Sequence, residues 1–266
     1  MKKVEIFLLS ALLVLTLTCF SSAQEPEPQE QEQKLFNAVS ISPGFGFEYF
    51  SRTIGWDDDY TSKLKSLFLT LDAEVELQRG IYVRAVLGFS SSSYEALVFR
   101  GRKFPVSVQL PEDYIKGFIL GAEVRKKLIH SESLRVDAFG QFYYCYGIKK
   151  EWEVPGLAVE GTVEGRPTWM RAPVGLIFTY TGYETFFPYI NLNFNKLWGK
   201  FNMDEIIQDL TGREEKKISG ESSFCISLGF TFKLTESISF KSEASFMPYK
   251  EGTDFGIMVK AMYSLD

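Results

Sequence analysis

From about residue 38 onward the chain repeats one pattern: runs of roughly ten or more residues in which apolar and polar side chains alternate strictly, separated by turn-forming residues. In one run Leu67, Leu69, Leu71, Ala73, Val75 and Leu77 share a face, opposite Phe68, Thr70, Asp72, Glu74 and Glu76. In the next, Ile81, Val83, Ala85, Leu87 and Phe89 oppose Tyr82, Arg84, Val86, Gly88 and Ser90. Further on, Phe224, Ile226, Leu228, Phe230 and Phe232 alternate with Ser223, Cys225, Ser227, Gly229 and Thr231. A period of two belongs to a strand with two unlike faces. It predicts ten strands, near 38–50, 65–77, 81–91, 114–127, 134–148, 168–180, 187–198, 222–234, 238–248 and 255–265.

The connections alternate in length. Short ones fall at Gln78–Gly80, 129–133, 181–186 and 235–237, and long ones at 51–64, 92–113, 149–167 and 199–221. The ninth, Tyr249 to Asp254, is short although it falls on the long side. Short turns at one rim and long loops at the other predict an all-β fold, a transmembrane antiparallel up-and-down β-barrel with periplasmic turns and extracellular loops. An even strand number places both termini in the periplasm. With Gly80 in a left-handed turn, Leu77 faces Ile81 and Glu74 lies across from Arg84. A five-residue turn at 129–133 puts Arg125 opposite Asp137. Pro43 and Pro173 fall inside strands and call for bulges. A helical turn is expected at Met203–Leu210.

The same alternation suits a soluble barrel or sandwich with its apolar face inward. Two features favour the opposite orientation. The polar face carries small residues fitted to a crowded interior (Ser42, Gly117, Gly121, Gly147, Gly175, Ser227, Gly229). The strands are also long for a soluble sheet and suited to a tilted bilayer span. Aromatics gather near strand ends, with Tyr180, Tyr183, Phe186, Phe187, Phe232 and Tyr263 at one rim and Tyr49, Tyr146, Trp198 and Phe246 at the other, as girdles do.

Composition agrees, because 24 Phe and 13 Tyr occur without any later apolar run able to cross a bilayer as a helix. The N-terminus reads as a secretory signal over residues 1–23: Lys2 and Lys3, an apolar run from Ile6 to Leu17, then Ser21-Ser22-Ala23. A lipoprotein signal acylated at Cys19 is the rival reading, although Thr16-Leu17-Thr18 fits it poorly. Residues 24–36 are acidic, polar and proline-containing, and read as a disordered periplasmic arm before a barrel domain at 37–266. The formal charge of −5 becomes −6 once Lys2, Lys3 and Glu5 are removed, and no basic patch suggests nucleic acid.

The closing segment Phe255, Gly256, Ile257, Val259, Tyr263 and Leu265 resembles the last strand of small bacterial outer-membrane β-barrel proteins of the OmpA-like and porin-like kind. Asp266 follows where that group most often ends on Phe. The resemblance implies a bacterial outer-membrane location, contact with outer-membrane lipid, recognition by the barrel assembly machinery and a monomeric state. It implies no activity and no cofactor.

The inward face is expected to carry Asp72, Glu74, Glu76, Arg84, Glu123, Arg125, Arg135, Asp137, Arg171, Lys241, Glu243 and Lys260, both signs together, forming ion pairs that fill a narrow lumen. A conducting pore through the same face is the alternative. Asp57-Asp58-Asp59 lacks the alternating spacing of a Ca²⁺ loop and reads as a solvated turn. His130-Ser131-Glu132 unites catalytic residue types, but on a tight turn at the periplasmic rim, and the chain is read as no enzyme. Cys145 and Cys225 point inward on strands too far apart for a disulfide. Trp56, Trp152 and the Tyr94–Val108 segment place aromatics on exposed loops that suit a partner or surface polysaccharide.

Overall fold

The computed structural model describes residues 40–57, 60–77, 80–95, 97–100, 107–109, 111–153, 161–207 and 210–265. The expected signal peptide at 1–23 with Cys19, the expected arm at 24–36, Asp58, Asp59, Gln78, Arg79 and much of the 94–108 segment lie outside them. Fourteen strands follow in order: β1 Ser40–Trp56, β2 Thr61–Leu77, β3 Ile81–Tyr94, β4 Val98–Arg100, β5 Ser107–Gln109, β6 Tyr114–His130, β7 Leu134–Gly147, β8 Lys150–Glu153, β9 Gly161–Tyr180, β10 Phe186–Ile207, β11 Leu210–Gly220, β12 Phe224–Lys233, β13 Ile238–Tyr249 and β14 Gly252–Tyr263.

Ten of them close into an antiparallel barrel in the order β1-β2-β3-β6-β7-β9-β10-β12-β13-β14. Closure is made by β14 on β1, from Gly44 opposite Met262 to Ser51 opposite Phe255. The four additional strands all belong to the long-loop end. There β4 pairs with β5, β8 with the start of β9, and β11 with β10.

All ten expected strands are present, and they differ from expectation mainly by running on at the long-loop end. β1 and β2 have 17 residues each, β9 has 20 and β10 has 22. A bilayer needs only about 9–11 tilted residues, so the wall continues past it as a collar. Met203 onward is therefore strand and not a helical turn: β10 pairs with β11 from Trp198 opposite Ser219 to Ile207 opposite Leu210. The foot of β11 also pairs with β1, at Ile54 with Gly220 and Trp56 with Ile218. In the collar the wall thus passes from β10 through β11 directly to β1. β12, β13 and β14 stop short beneath that bridge, as the short ninth connection foreshadows.

Leu77 faces Ile81, Glu74 faces Arg84, and Gly80 has φ 70°, the left-handed turn expected. Arg125, however, faces Phe139, and Lys127 faces Asp137. The reason is that β6 runs to His130, with an irregularity between Lys127 and Ile129 that shifts the register. His130 accordingly ends a strand opposite Arg135 and does not sit in the turn. Neither proline makes a bulge. Pro43 keeps its register with β2, and the β14 ladder begins one residue later at Gly44. At Pro173 the register with β10 is continuous, and the β7 ladder is merely interrupted between Gly140 and Tyr143.

The outward face of the lower wall is apolar and open. Leu71, Leu87 and Leu120 form one cross-strand row with 65%, 60% and 51% of their surface exposed. A watery surroundings would make that row costly, whereas hydrocarbon makes it favourable. Rings meet at both borders: Tyr180 with Tyr183 at 5.1 Å and Phe186 with Phe230 at 5.3 Å near the turn end, and Phe142 with Trp198 at 6.3 Å higher up. Leu71→Arg is expected to destabilise the barrel by about 2–4 kcal/mol in urea titrations in lipid vesicles. A change within about 0.5 kcal/mol, the usual effect at a hydrated surface, would place this row in water.

Candidate functional site in the barrel interior

Along β1, β2, β9 and β10 the inward residues turn from mainly polar to mainly apolar toward the long-loop end. On β1, Gly44, Gly46 and Glu48 are followed toward the long-loop end by Phe50, Arg52, Ile54 and Trp56, the last four buried. On β2 the same climb runs Glu74, Asp72, Thr70, Phe68, Ser66, Leu64. On β9 it runs Arg171, Trp169, and on β10 Tyr189, Asn191, Asn193, Asn195, Leu197, Phe201, Met203. The interior therefore has a polar tier toward the short turns and an apolar tier inside the collar.

The apolar tier is packed by rings. Trp56 stacks on Tyr60 at 5.8 Å, Tyr94 meets Phe201 edge-on at 5.3 Å, and Phe50 meets Trp169 edge-on at 5.7 Å. Trp169, Phe68 and Phe201 retain no exposed surface. Buried rings at such spacings gain from edge-to-face contact beyond their area burial. Outside this tier the collar is charged. Lys200 pairs with Glu215 at 2.9 Å, Lys65 with Glu112 at 3.2 Å, and Lys149 with Glu164. The Lys150 ammonium holds the Asp113 carboxyl below the usual carboxylate range, and Lys200 does the same for Glu215.

Ion pairs link neighbouring strands in the polar tier. Arg171 forks onto Glu48, Nη1 to Oε1 at 2.5 Å and Nη2 to Oε2 at 3.0 Å. Its guanidinium lies 5.2 Å from the Phe50 ring and 4.8 Å from Tyr143, on the border of the two tiers. Lys260 pairs with Asp72 at 2.5 Å and Arg125 with Glu74 at 2.8 Å. Arg84 pairs with Glu123, which also accepts from Gln141 at 3.0 Å. Lys241 lies 3.8 Å from Glu243, to which the Tyr189 hydroxyl donates at 2.8 Å. Arg135 and Asp137 pair along their own strand at 3.0 Å, and Glu76 is exposed at the turn end. Between Glu48, Asn191, Asn193, Ser227, Glu243 and Lys260 lies a cavity of about 110 Å³.

Of the residues set out from the sequence, nine converge on this network: Asp72, Glu74, Arg84, Glu123, Arg125, Arg171, Lys241, Glu243 and Lys260. Glu76 reaches it through Tyr82, to which it is hydrogen-bonded and whose ring lies 4.7 Å from the Arg125 guanidinium, while Arg135 and Asp137 pair with each other. Glu48, Arg52, Tyr143, Tyr189 and the Asn191-Asn193-Asn195 ladder were not set out. Glu48 was within reach, because it shares the parity of Gly44 and Gly46 on the first strand. Arg52 was not, because it falls beyond that strand's expected end.

Cys145 and Cys225 are free and buried, Cys145 with its sulfur 3.3 Å from the Ser90 hydroxyl. Phe255, Ile257, Val259, Tyr263 and Leu265 face outward, the first four on β14, while Gly256 lies inward against Ser245 and Phe50.

No family model matches the chain, and no curated protein matches it. Solved structures similar to it include the outer membrane protease OmpT from Escherichia coli, at 10% identity over 85% of this chain and 97% of that chain, with a TM-score of 0.49. The beta domain of the Bordetella autotransporter BrkA matches at 12% identity over 86% and 100%, with a TM-score of 0.42. Ail, the attachment invasion locus protein of Yersinia pestis, matches at 10% identity over 85% and 98%, with a TM-score of 0.33. The barrel itself is defined by its own strand pairing. With an open apolar band outside and ion pairs inside, the chain has the architecture of a bacterial outer-membrane β-barrel.

Breaking one buried pair is more damaging than removing both partners. Arg171→Ala is expected to cost about 3–5 kcal/mol in urea unfolding, and Arg171→Met with Glu48→Leu to recover most of it. Equal losses in the single and double variants would show that the pair carries no such coupling.

Proposed function

We propose that the protein resides in the bacterial outer membrane as a non-conducting barrel with a structural or interaction role, its charged collar being the surface it presents. The observation that carries this reading is the ring-packed apolar tier, in which Phe50, Phe68, Trp169 and Phe201 are each at most 2% exposed. Water and ions crossing the barrel would have to pass both that tier and the ion pairs beneath it. A conducting pore instead calls for a continuous polar lining. The collar supports the interaction half of the reading, since rigid strands bearing both charges offer a fixed and soluble surface. In the same reading β14, with Phe255, Ile257, Val259 and Tyr263 outward, is the strand engaged by the assembly machinery before β1 closes on it.

Planar-bilayer recordings separate this reading from the narrow pore. The wild-type chain is expected to give no conductance steps, and a Phe50→Ala, Trp169→Ala, Phe201→Ala triple variant to give small ones. Regular steps from the wild type would instead establish the pore.

A further inference from the structure

The outer border of the apolar band is uneven in charge, and one face concentrates cations there. On β10 the outward residues pass from Phe194, 67% exposed, to Lys196, Trp198 and Lys200. In register with them on the same face, Thr168 lies opposite Lys200, and Lys200 lies opposite Lys217 of β11. Arg166 of β9 joins from one row higher, donating from Nη1 to the Tyr146 hydroxyl at 2.9 Å. Lys196 holds its ammonium 6.0 Å from the Trp198 ring.

Asp204, Glu164 and Glu215 on this face are already paired, with Arg213 at 3.6 Å, with Lys149 and with Lys200. Glu215 bonds Lys200, and the same carboxyl is held below its ordinary range by Lys200 first, with smaller pulls from Lys217 and Arg213. Among the described residues, no carboxylate forms an ion pair with Lys196, Lys217 or Arg166. Two lysines directly opposed on one sheet face repel each other unless an anion sits between them. Elsewhere in the collar Lys150 pairs with Asp113, and Lys65 with both Glu95 and Glu112.

We propose that this face binds an outer-leaflet lipid whose headgroup carries more than one phosphate. The inference rests on the membrane reading above, because the acyl chains must lie along the band below Lys196. Phosphate oxygens accept charge-assisted bonds from Lys196, Lys200, Lys217 and Arg166, and the Trp198 and Tyr146 rings border the headgroup at the depth where such rings favour the interface. Lys196 and the Lys200–Lys217 pair are four residues apart on β10, about 13 Å along the strand. One phosphate cannot span that distance, which is why a headgroup with separated phosphates is specified. The cations supply the positive field, and the aromatic shelf supplies the apolar footing.

The test uses the full folded chain in neutral detergent micelles, doped with a bis-phosphorylated glycolipid or with the same lipid dephosphorylated. Binding is read as the rise in the temperature at which the compact, unboiled gel band is lost. The phosphorylated lipid is expected to raise that temperature and its dephosphorylated form to leave it unchanged. A Lys196→Ala, Lys217→Ala variant should bind at least about tenfold more weakly, since each charge-assisted bond lost is worth about that much or more. Its compact band without lipid should match wild type, and Lys250→Ala at the β13–β14 turn should bind as wild type. Equal stabilisation by both lipids, or undiminished binding by the double variant, overturns the site while leaving the membrane barrel intact. A wild-type chain that remains in the aqueous fraction and gives no compact band overturns the membrane reading and the lipid site together.

Discussion

Side chains alternate across a strand, so every strand of a closed sheet offers one row to the interior and one to the surroundings. When the surroundings change from hydrocarbon to water partway along, both rows must change with them. β10 carries the change within a single element. Outward, Ile190, Leu192 and Phe194 give way to Lys196 and Lys200; inward, Asn191, Asn193 and Asn195 give way to Leu197, Phe201 and Met203. The backbone continues without a break, but polarity inverts. Below the inversion the protein is a membrane barrel with a polar inside, and above it the same strands form a water-soluble barrel with an apolar core.

The two parts are stabilised differently. In the collar, rings and aliphatic side chains leave water, each full burial contributing about 1.5–3 kcal/mol. In the membrane part the outer surface gains nothing from burial against protein, and the interior holds charges whose isolation would cost several kcal/mol each. Arg171 reconciles them at the border, forked onto Glu48 below and faced by Phe50 and Tyr143 rings. Arg52, 1% exposed, serves where β11 gives way to β12. It donates to the Asn195 side-chain oxygen at 3.1 Å, and to the Asn195 and Ser222 carbonyls, which the strand change leaves without a regular ladder. Gly220 makes room for it, since a Cβ there would lie 2.8 Å from the Arg52 guanidinium. Across the same gap Asp254 accepts from the Thr53 amide at 2.7 Å and from Lys63 at 2.9 Å, securing the top of the short β13–β14 side.

Strand number, facing and the Leu77–Ile81 register were legible because a period of two survives any environment. Strand length was not. Past Lys196 the alternation persists while its sign flips, so residues 199–221 read as a loop with a helical turn at Met203–Leu210, although they form most of a hairpin. The residues of the ion network were legible from parity, but their partners were not. Glu74 does lie across from Arg84, yet Arg84 reaches Glu123 and Glu74 reaches Arg125. Side-chain length and lean decide among adjacent and diagonal neighbours, and neither is written in register alone. The shift at Lys127–Ile129 likewise has no turn residue to announce it.

The inversion can be read directly by nitroxide labels placed one at a time at outward positions 190, 192, 194, 196, 200 and 204 of β10, with Cys145 and Cys225 replaced by serine, in lipid bilayers. Accessibility is compared between oxygen, which concentrates in hydrocarbon, and a water-soluble nickel chelate. The account predicts oxygen dominance at 190–194, a crossover between 196 and 200, and chelate dominance at 204. Chelate dominance at every position would contradict it by making the whole barrel soluble, and oxygen dominance through 204 would contradict it by leaving no collar in water.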